Sequence, residues 1–272
     1  MLTNSKRIAF LGCGNMVQAL FPRWNELDPK AQFYTYTPSG LKAEEFASII
    51  NGKAVKSLFD LPPCDVYVFG FKPQTLYKAF SDFKPTNKNA VGVSLLAAVP
   101  FEDLQAASGL KSLVRLMPNT PSLVGEGIMG VCERNLDAEQ KNYFDHIFNG
   151  VSQTVQLESE SDLDLITPYS GSGPAYFFEI ARILVHDLKE RGIDGSLARK
   201  LVAQTIFGAG KMLLDADEPP AKLRDNVTSK GGITAAVLNS LKENNLESIF
   251  NQAIEAGHQR LSEMKSTTKE KE

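Results

Sequence analysis

The sequence predicts a two-part α/β chain, a parallel-sheet domain over residues 1–160 followed by an all-helical domain over residues 161–272. Three observations carry that prediction. Up to about residue 160, short apolar runs alternate with helical patterns, as strand–helix–strand units do. From Ser161 onward strand signals stop, and apolar residues recur at three- and four-residue spacing. Between the two regimes stands Thr167-Pro168-Tyr169-Ser170-Gly171-Ser172-Gly173-Pro174-Ala175-Tyr176, dense in glycine, hydroxyl and proline. It reads as a helix start with Pro174 in the first turn and Ser172 as the cap. A junction between two such domains is also where α/β enzymes place a second substrate.

Composition narrows the classes. A hydrophobic content of 43% with 22% charged residues is that of an ordinary globular protein with an ample core. A net charge of −3 gives no basic field for nucleic acid or an anionic membrane surface. No apolar run approaches the roughly 18–20 residues of a membrane span. Residues 1–7 run straight into a motif-bearing strand, so no removable leader is expected. Cys13, Cys64 and Cys132 are odd in number and lack metal or disulfide spacing. They read as small buried residues, and the cytoplasm as the compartment.

Arg7–Leu11 is a short apolar strand that ends in Gly12-Cys13-Gly14-Asn15-Met16-Val17. A strand running into Gly-x-Gly and then a helix opens a Rossmann-type dinucleotide-binding unit, whose helix start receives the pyrophosphate. Val17 occupies the place of the third glycine of the usual fingerprint. The second strand, Gln32–Tyr36, leads into Thr37-Pro38-Ser39-Gly40-Leu41-Lys42 without the acid that holds an NAD ribose. The hydroxyls of Thr37 and Ser39 with Lys42 offer a 2′-phosphate site instead, which favours NADP over NAD. The alternative is a plain turn in which Ser39 caps the next helix, with Glu44 beyond it. Strands over residues 65–71, 90–94 and 112–116 lead to Lys72-Pro73-Gln74, to Leu95-Leu96-Ala97-Ala98-Val99-Pro100 and to Met117-Pro118-Asn119-Thr120-Pro121. Loops at the carboxyl ends of parallel strands form the ligand crevice, and Lys72 there is a candidate for the nicotinamide site. Two further strands, 125–132 and 152–157, bracket a helix over 138–149.

The second half reads as helices over 175–189, 196–214, 221–227, 234–242 and 246–264, with a frayed tail after Lys265. They carry more apolar surface than one small bundle can bury, which points to a homodimer or an assembly of dimers. Asn226-Val227-Thr228-Ser229-Lys230-Gly231-Gly232-Ile233-Thr234 is the chemically loaded loop here. Two glycines ahead of a helix leave several N–H groups bare, a ready site for a carboxylate.

At this point the chain resembles the pyrroline-5-carboxylate reductases over nearly its whole length. The resemblance rests on Gly12–Met16, Lys72-Pro73-Gln74, Arg115-Leu116-Met117-Pro118-Asn119-Thr120-Pro121, Ser170–Tyr176 and Val227–Thr234, the last two being the specific ones. It implies reduction of L-1-pyrroline-5-carboxylate to L-proline by NADPH, with NADH also possible. The cofactor would lie on Gly12, Cys13, Gly14, Asn15 and Met16, on Thr37, Pro38, Ser39 and Lys42, and on Lys72, Pro73, Ala98, Met117, Pro118 and Asn119. The substrate would be held by Ser172, Gly173, Ser229, Gly231, Gly232, Ile233 and Thr234, with its carboxylate on backbone amides and the Thr234 hydroxyl facing the ring nitrogen. The chain departs from the family at Ala98, where glycine is usual, at Lys230, where proline is frequent, and at Ile233, where threonine is common. No metal is expected. A cyclic imine needs a well-placed hydride donor and little acid–base machinery, which agrees with the want of any His/Asp pair. His146, His186 and His258 read as structural or surface residues, and Asp162 and Asp164 as a helix N-terminal charge cluster. Two other readings stay open. One is a sister reductase acting on another imine or a β-hydroxyacid, for which Lys189 stands late in the first helix of the second half. The other is a silent nucleotide-binding protein.

Overall fold

A strand buried on both faces must be apolar nearly throughout, and a strand at a sheet border need not be. The structure, a computed structural model, follows that rule. It describes residues 5–81 and 84–269. Residues 1–4 and 270–272, the far end of the tail expected to fray, lie outside the described residues. In chain order the first part holds β1 (Arg7–Leu11), α1 (Asn15–Leu20), α2 (Trp24–Leu27), β2 (Gln32–Tyr36), α3 (Leu41–Ile49), β3 (Lys53–Ala54) and β4 (Val66–Phe69). There follow α4 (Leu76–Ala79), β5 (Val91–Ser94), α5 (Phe101–Ser108), β6 (Ser112–Met117), β7 (Ile128–Arg134), α6 (Ala138–Val151), β8 (Gln153–Gln156) and α7 (Glu160–Ile166). The rest is helical: α8 (Gly173–Glu190), α9 (Gly195–Asp215), α10 (Pro220–Asn226), α11 (Ile233–Glu243) and α12 (Leu246–Lys269).

The eight strands form one sheet in the order β3-β2-β1-β4-β5-β6-β7-β8. All neighbours are parallel except β6 and β7. β4 and β5 are buried at every position, whereas the border strand β8 is mostly exposed. Alternation along β1 sends Ile8 and Phe10 to one face and Ala9 and Leu11 to the other. On the first face Phe10 meets Trp24 edge-on at 5.6 Å and Phe46 at 5.1 Å between ring centroids. On the second face Tyr67, Phe69, Phe80 and Phe101 build a separate core with Leu113 and Leu163.

The chain divides into two compact units, one of residues 1–174 with 257–272 and one of residues 175–256, so that both α8 and α12 start in one and end in the other. Leu163 of α7 is buried in the sheet core of the first unit, and Lys265 near the end of α12 is hydrogen-bonded to Asp164 there. In the second unit only Ala198 and Val202 of α9 are fully buried. Phe177, Phe178, Phe207 and Leu214 are more than half exposed.

Two local expectations are corrected. Residues 125–127 belong to a turn rather than to β7, because Gly125 takes φ +79° and Glu126 donates its N–H back to Pro121. Ser172 does not cap α8. A π-helical turn over Thr167–Gly171 continues α7, and Ser172 follows it in helical conformation, its N–H bonded to the Thr167 carbonyl. The capping hydroxyl sits earlier, on Ser159, which exchanges hydrogen bonds with Asp162 in a capping box ahead of α7.

Ala98, in the turn from β5 to α5, is 1% exposed and has φ +62°. A Cβ in that left-handed region costs about 1 kcal/mol. Ala98→Gly therefore raises the stability to urea by about 0.5–1 kcal/mol, the greater chain freedom of glycine offsetting part of the gain. An unchanged or lowered denaturation midpoint would refute this. The three thiols are all free and buried, and burial pushes Cys13 and Cys64 up to about 12. The folded chain thus holds thiols that the unfolded chain ionises above about pH 9. Their contribution to stability is intact below that pH and is lost as pH climbs toward 12. A disulfide reagent at pH 8 should label none of them before unfolding. Fast labelling of Cys13 in the folded protein would contradict the assignment.

Candidate active site

The carboxyl ends of β1 and β4 come together through glycine. A Cβ at Gly12 would lie 2.5 Å from the Phe71 nitrogen, and one at Gly70 would lie 2.4 Å from the Gly12 oxygen and 2.3 Å from a Val17 methyl. Gly12 also takes φ +92° and donates its N–H to the Tyr36 carbonyl at 2.8 Å. The turn therefore cannot form with another residue there. Gly14 is different. A Cβ on it would touch only the Gly70 oxygen at 3.6 Å, an ordinary contact. The protein's own packing does not demand that glycine, and its bare face leaves room for a ligand over the turn. Val17, at the third fingerprint position, fits because Gly70, just past the end of β4, supplies the missing space.

Gly14 is the N-cap of α1 without a side-chain cap, which leaves the first N–H groups of Asn15 and Met16 available to an anion. Lys42 is brought to the same place, its Nζ 3.2 Å from Asn15 Oδ1. Ser39 does not cap α3. Gly40 holds the N-cap with φ +77°, and no side chain caps it. The Thr37 hydroxyl is buried without a hydrogen-bond partner. Pro38, Tyr36, Gly12, Ser57, Phe71 and Lys72 border a cavity of about 540 Å³ beside this edge. Lys72 is exposed and precedes a 3₁₀ turn, Pro73–Thr75, with its carbonyl engaged by Thr75.

Farther along the edge, Met117 and Pro118 are buried, and so is Asn119, whose side-chain oxygen accepts the Ile128 N–H at 3.0 Å. Gly171 of the π turn lies against this segment, since a Cβ there would stand 3.0 Å from Met117 Sδ. Gly173 is buried and Ser172 exposed in the same stretch. The structure thus gathers the expected cofactor residues along one edge of the first unit.

Ser229, Gly231, Gly232, Ile233 and Thr234 lie in the second unit. Gly231 has φ +73°, and a Cβ at Gly232 would fall 2.3 Å from Ser229 Oγ. The left-handed backbone at Gly231 favours glycine, and a side chain at Gly232 would displace the Ser229 hydroxyl. Gly232 is the N-cap of α11 with no side-chain cap, so the first N–H groups of the helix remain bare. Ile233 is 87% exposed and Thr234 partly buried.

Two features escape a reading of motifs. The Ser170 hydroxyl is buried in the π turn without a partner. Asp164, expected in a helix N-terminal charge cluster, lies in α7 and also meets buried Arg115, whose second acid is Glu160. The partners are 45 and 49 residues apart in sequence, too far for a local pattern to join them. The histidines hold no acid–base pair. His146 contacts the Leu27 carbonyl, His258 packs near Tyr169 and His186 is exposed. Among the described residues, no group of His, Cys, Asp and Glu could hold a metal.

Comparison with known proteins places the chain in a family. Residues 160–264 match the family model described as pyrroline-5-carboxylate reductase dimerisation, and residues 7–98 match one described as NADP oxidoreductase coenzyme F420-dependent. The pyrroline-5-carboxylate reductase of Pasteurella multocida is 34% identical over 269 residues, covering 96% of this chain and 98% of its own. The structure of Plasmodium falciparum pyrroline carboxylate reductase, with NADP bound, is similar with a TM-score of 0.82 and 28% identity, covering 96% of this chain and 98% of its own. The Coxiella burnetii pyrroline-5-carboxylate reductase gives 0.81 and 29%, covering 96% and 99%. The chain is an oxidoreductase and belongs to the pyrroline-5-carboxylate reductase family.

Proposed function

We propose that the site residues gathered above serve the reduction of L-1-pyrroline-5-carboxylate to L-proline with NADPH as the preferred donor. The reaction is the one after which the family is named, and the chain matches its relatives almost end to end. NADPH supplies the hydride. The turn Gly12–Met16 and the first N–H groups of α1 hold the pyrophosphate, and the free face of Gly14 fits that role. Thr37, Ser39 and Lys42 take the 2′-phosphate, where a carboxylate would repel it. Pro38, Lys72, Pro73, Ala98, Met117, Pro118 and Asn119 line the remaining path.

The observation that carries the substrate reading is the uncapped start of α11. Its bare N–H groups after Gly231 and Gly232 form a receptor for the ring carboxylate. Thr234, in the first turn, faces the ring nitrogen, and Ser172, Gly173, Ser229 and Ile233 complete the contacts. The substrate carbon is already electrophilic once its nitrogen is protonated, so orientation does most of the catalytic work. The exposed apolar faces of α8 and α9 are those of a homodimer, and the dimerisation family model over residues 160–264 supports this. No described helix is long and apolar enough to cross a membrane. Three unpaired thiols fit a reducing cytoplasm, and the net charge of −3 gives nucleic acid no hold.

Two variants test the assignment. Thr234→Ala lowers kcat/KM for the imine by about 10- to 100-fold, roughly 1.4–3 kcal/mol, with NADPH binding little changed. An unchanged kcat/KM removes Thr234 from the site. Lys42→Glu weakens NADPH more than NADH in parallel titrations. Equal losses for both would mean that the 2′-phosphate is held elsewhere.

A further inference from the structure

An ion cluster beneath the expected nicotinamide loops has no part in the reading above. Arg115, in the middle of β6, is 2% exposed. Its Nη1 stands 2.6 Å from Glu160 Oε1 and its Nη2 3.3 Å from Asp164 Oδ1, two acids one turn apart on α7. Each acid reaches further. Glu160 Oε1 also accepts the N–H of Phe101 at 2.8 Å, at the first residue of α5 and directly after the Ala98 turn. Asp164 Oδ2 accepts from Lys265 near the end of α12. Arg134 of β7 approaches Glu160 at 3.7 Å and pairs with Glu102 at 2.8 Å.

One buried cation therefore ties together three segments of the edge. It holds the Ala98 turn through Glu160, and Met117 lies two residues along its own strand. Through Glu160 and Asp164 it also holds α7, which runs without interruption into the π turn that presses Gly171 on Met117. The α12 segment clasped by Lys265 touches the same turn, because a Cβ at Gly257 would stand 3.1 Å from Pro168. Stability alone is a poor reason for such a cluster. Desolvating buried ions costs several kcal/mol each, and apolar replacements of similar volume are often as stable or more so. Here Arg115 Nε is also left buried without an acceptor. What an apolar patch cannot supply is a fixed register between three loops.

We infer that Arg115, acting through Glu160 and Asp164, is a positioning residue that holds the Ala98 turn, the Met117–Asn119 segment and the π turn in the register that hydride transfer needs. The inference rests on the reductase reading. A displacement of about 1 Å at such a site can cost about 100-fold in rate without loss of binding. The test uses full-length Arg115→Lys and Glu160→Gln, both of which keep hydrogen-bonding groups in place. Thermal midpoint, NADPH affinity by fluorescence titration, kcat and KM for the imine, and the primary isotope effect with NADPH deuterated at the transferred position are measured on each. The expected result is a folded protein with NADPH affinity within about twofold of wild type, kcat lowered by about tenfold or more, and a larger isotope effect as the hydride step becomes slower. An unchanged kcat and isotope effect would overturn the inference. So would losses of kcat that merely follow the thermal midpoint or NADPH affinity, with no change in isotope effect. Absence of imine-dependent NADPH oxidation in the wild type would strike the reductase reading instead, before any variant is compared.

Discussion

The cofactor edge depends on a contact between two main chains. β1 and β4 are parallel neighbours in the sheet, and their ends close on each other until Gly12 and Gly70 leave no room for a Cβ on either. That approach sets the start of α1, and with it the direction of the N–H groups that face a ligand. It also accounts for Val17, whose methyl occupies the space over Gly70. The usual fingerprint gets close helix–strand packing from a third glycine on the helix. In this chain the glycine follows the neighbouring strand β4, and the close packing is kept.

A reaction on an activated imine puts unusual weight on such geometry. On the function proposed above, the residues at the edge serve by holding and orienting the two reactants. Below the edge, the cluster of Arg115 with Glu160 and Asp164 replaces apolar packing at the point where three loops must agree. The cluster lies on the face of the sheet opposite the aromatic contacts of Phe10 with Trp24 and Phe46. The π turn fits the same picture, since single π turns inside helices recur where a function constrains the backbone.

Much of this was legible in the sequence because the signals were local. The five residues of β1 with the Gly-x-Gly after them, and the absence of an acid after β2, are each decided within a few positions. The glycines before α11 announced a bare helix start in the same way. What remained hidden depends on distance along the chain. The antiparallel pairing of β6 with β7 follows from a turn in which Gly125 and Gly127 each have a separate steric reason. Asp164 reads as part of a helix N-terminal charge cluster, and Glu160 shows no partner, until Arg115 is placed against both. Ser172 looked like a cap by residue type, but a π turn continuing α7 overrode that local preference, and Ser159 took the role. The φ of Ala98 could not be read from an alanine.

The most direct test of the account is NADPH oxidation by the wild-type protein, followed by absorbance, with and without L-1-pyrroline-5-carboxylate and with NADH in parallel. The expected result is oxidation that requires the imine and is faster with NADPH. A folded sample that binds NADPH yet shows no imine-dependent oxidation with either cofactor would contradict it.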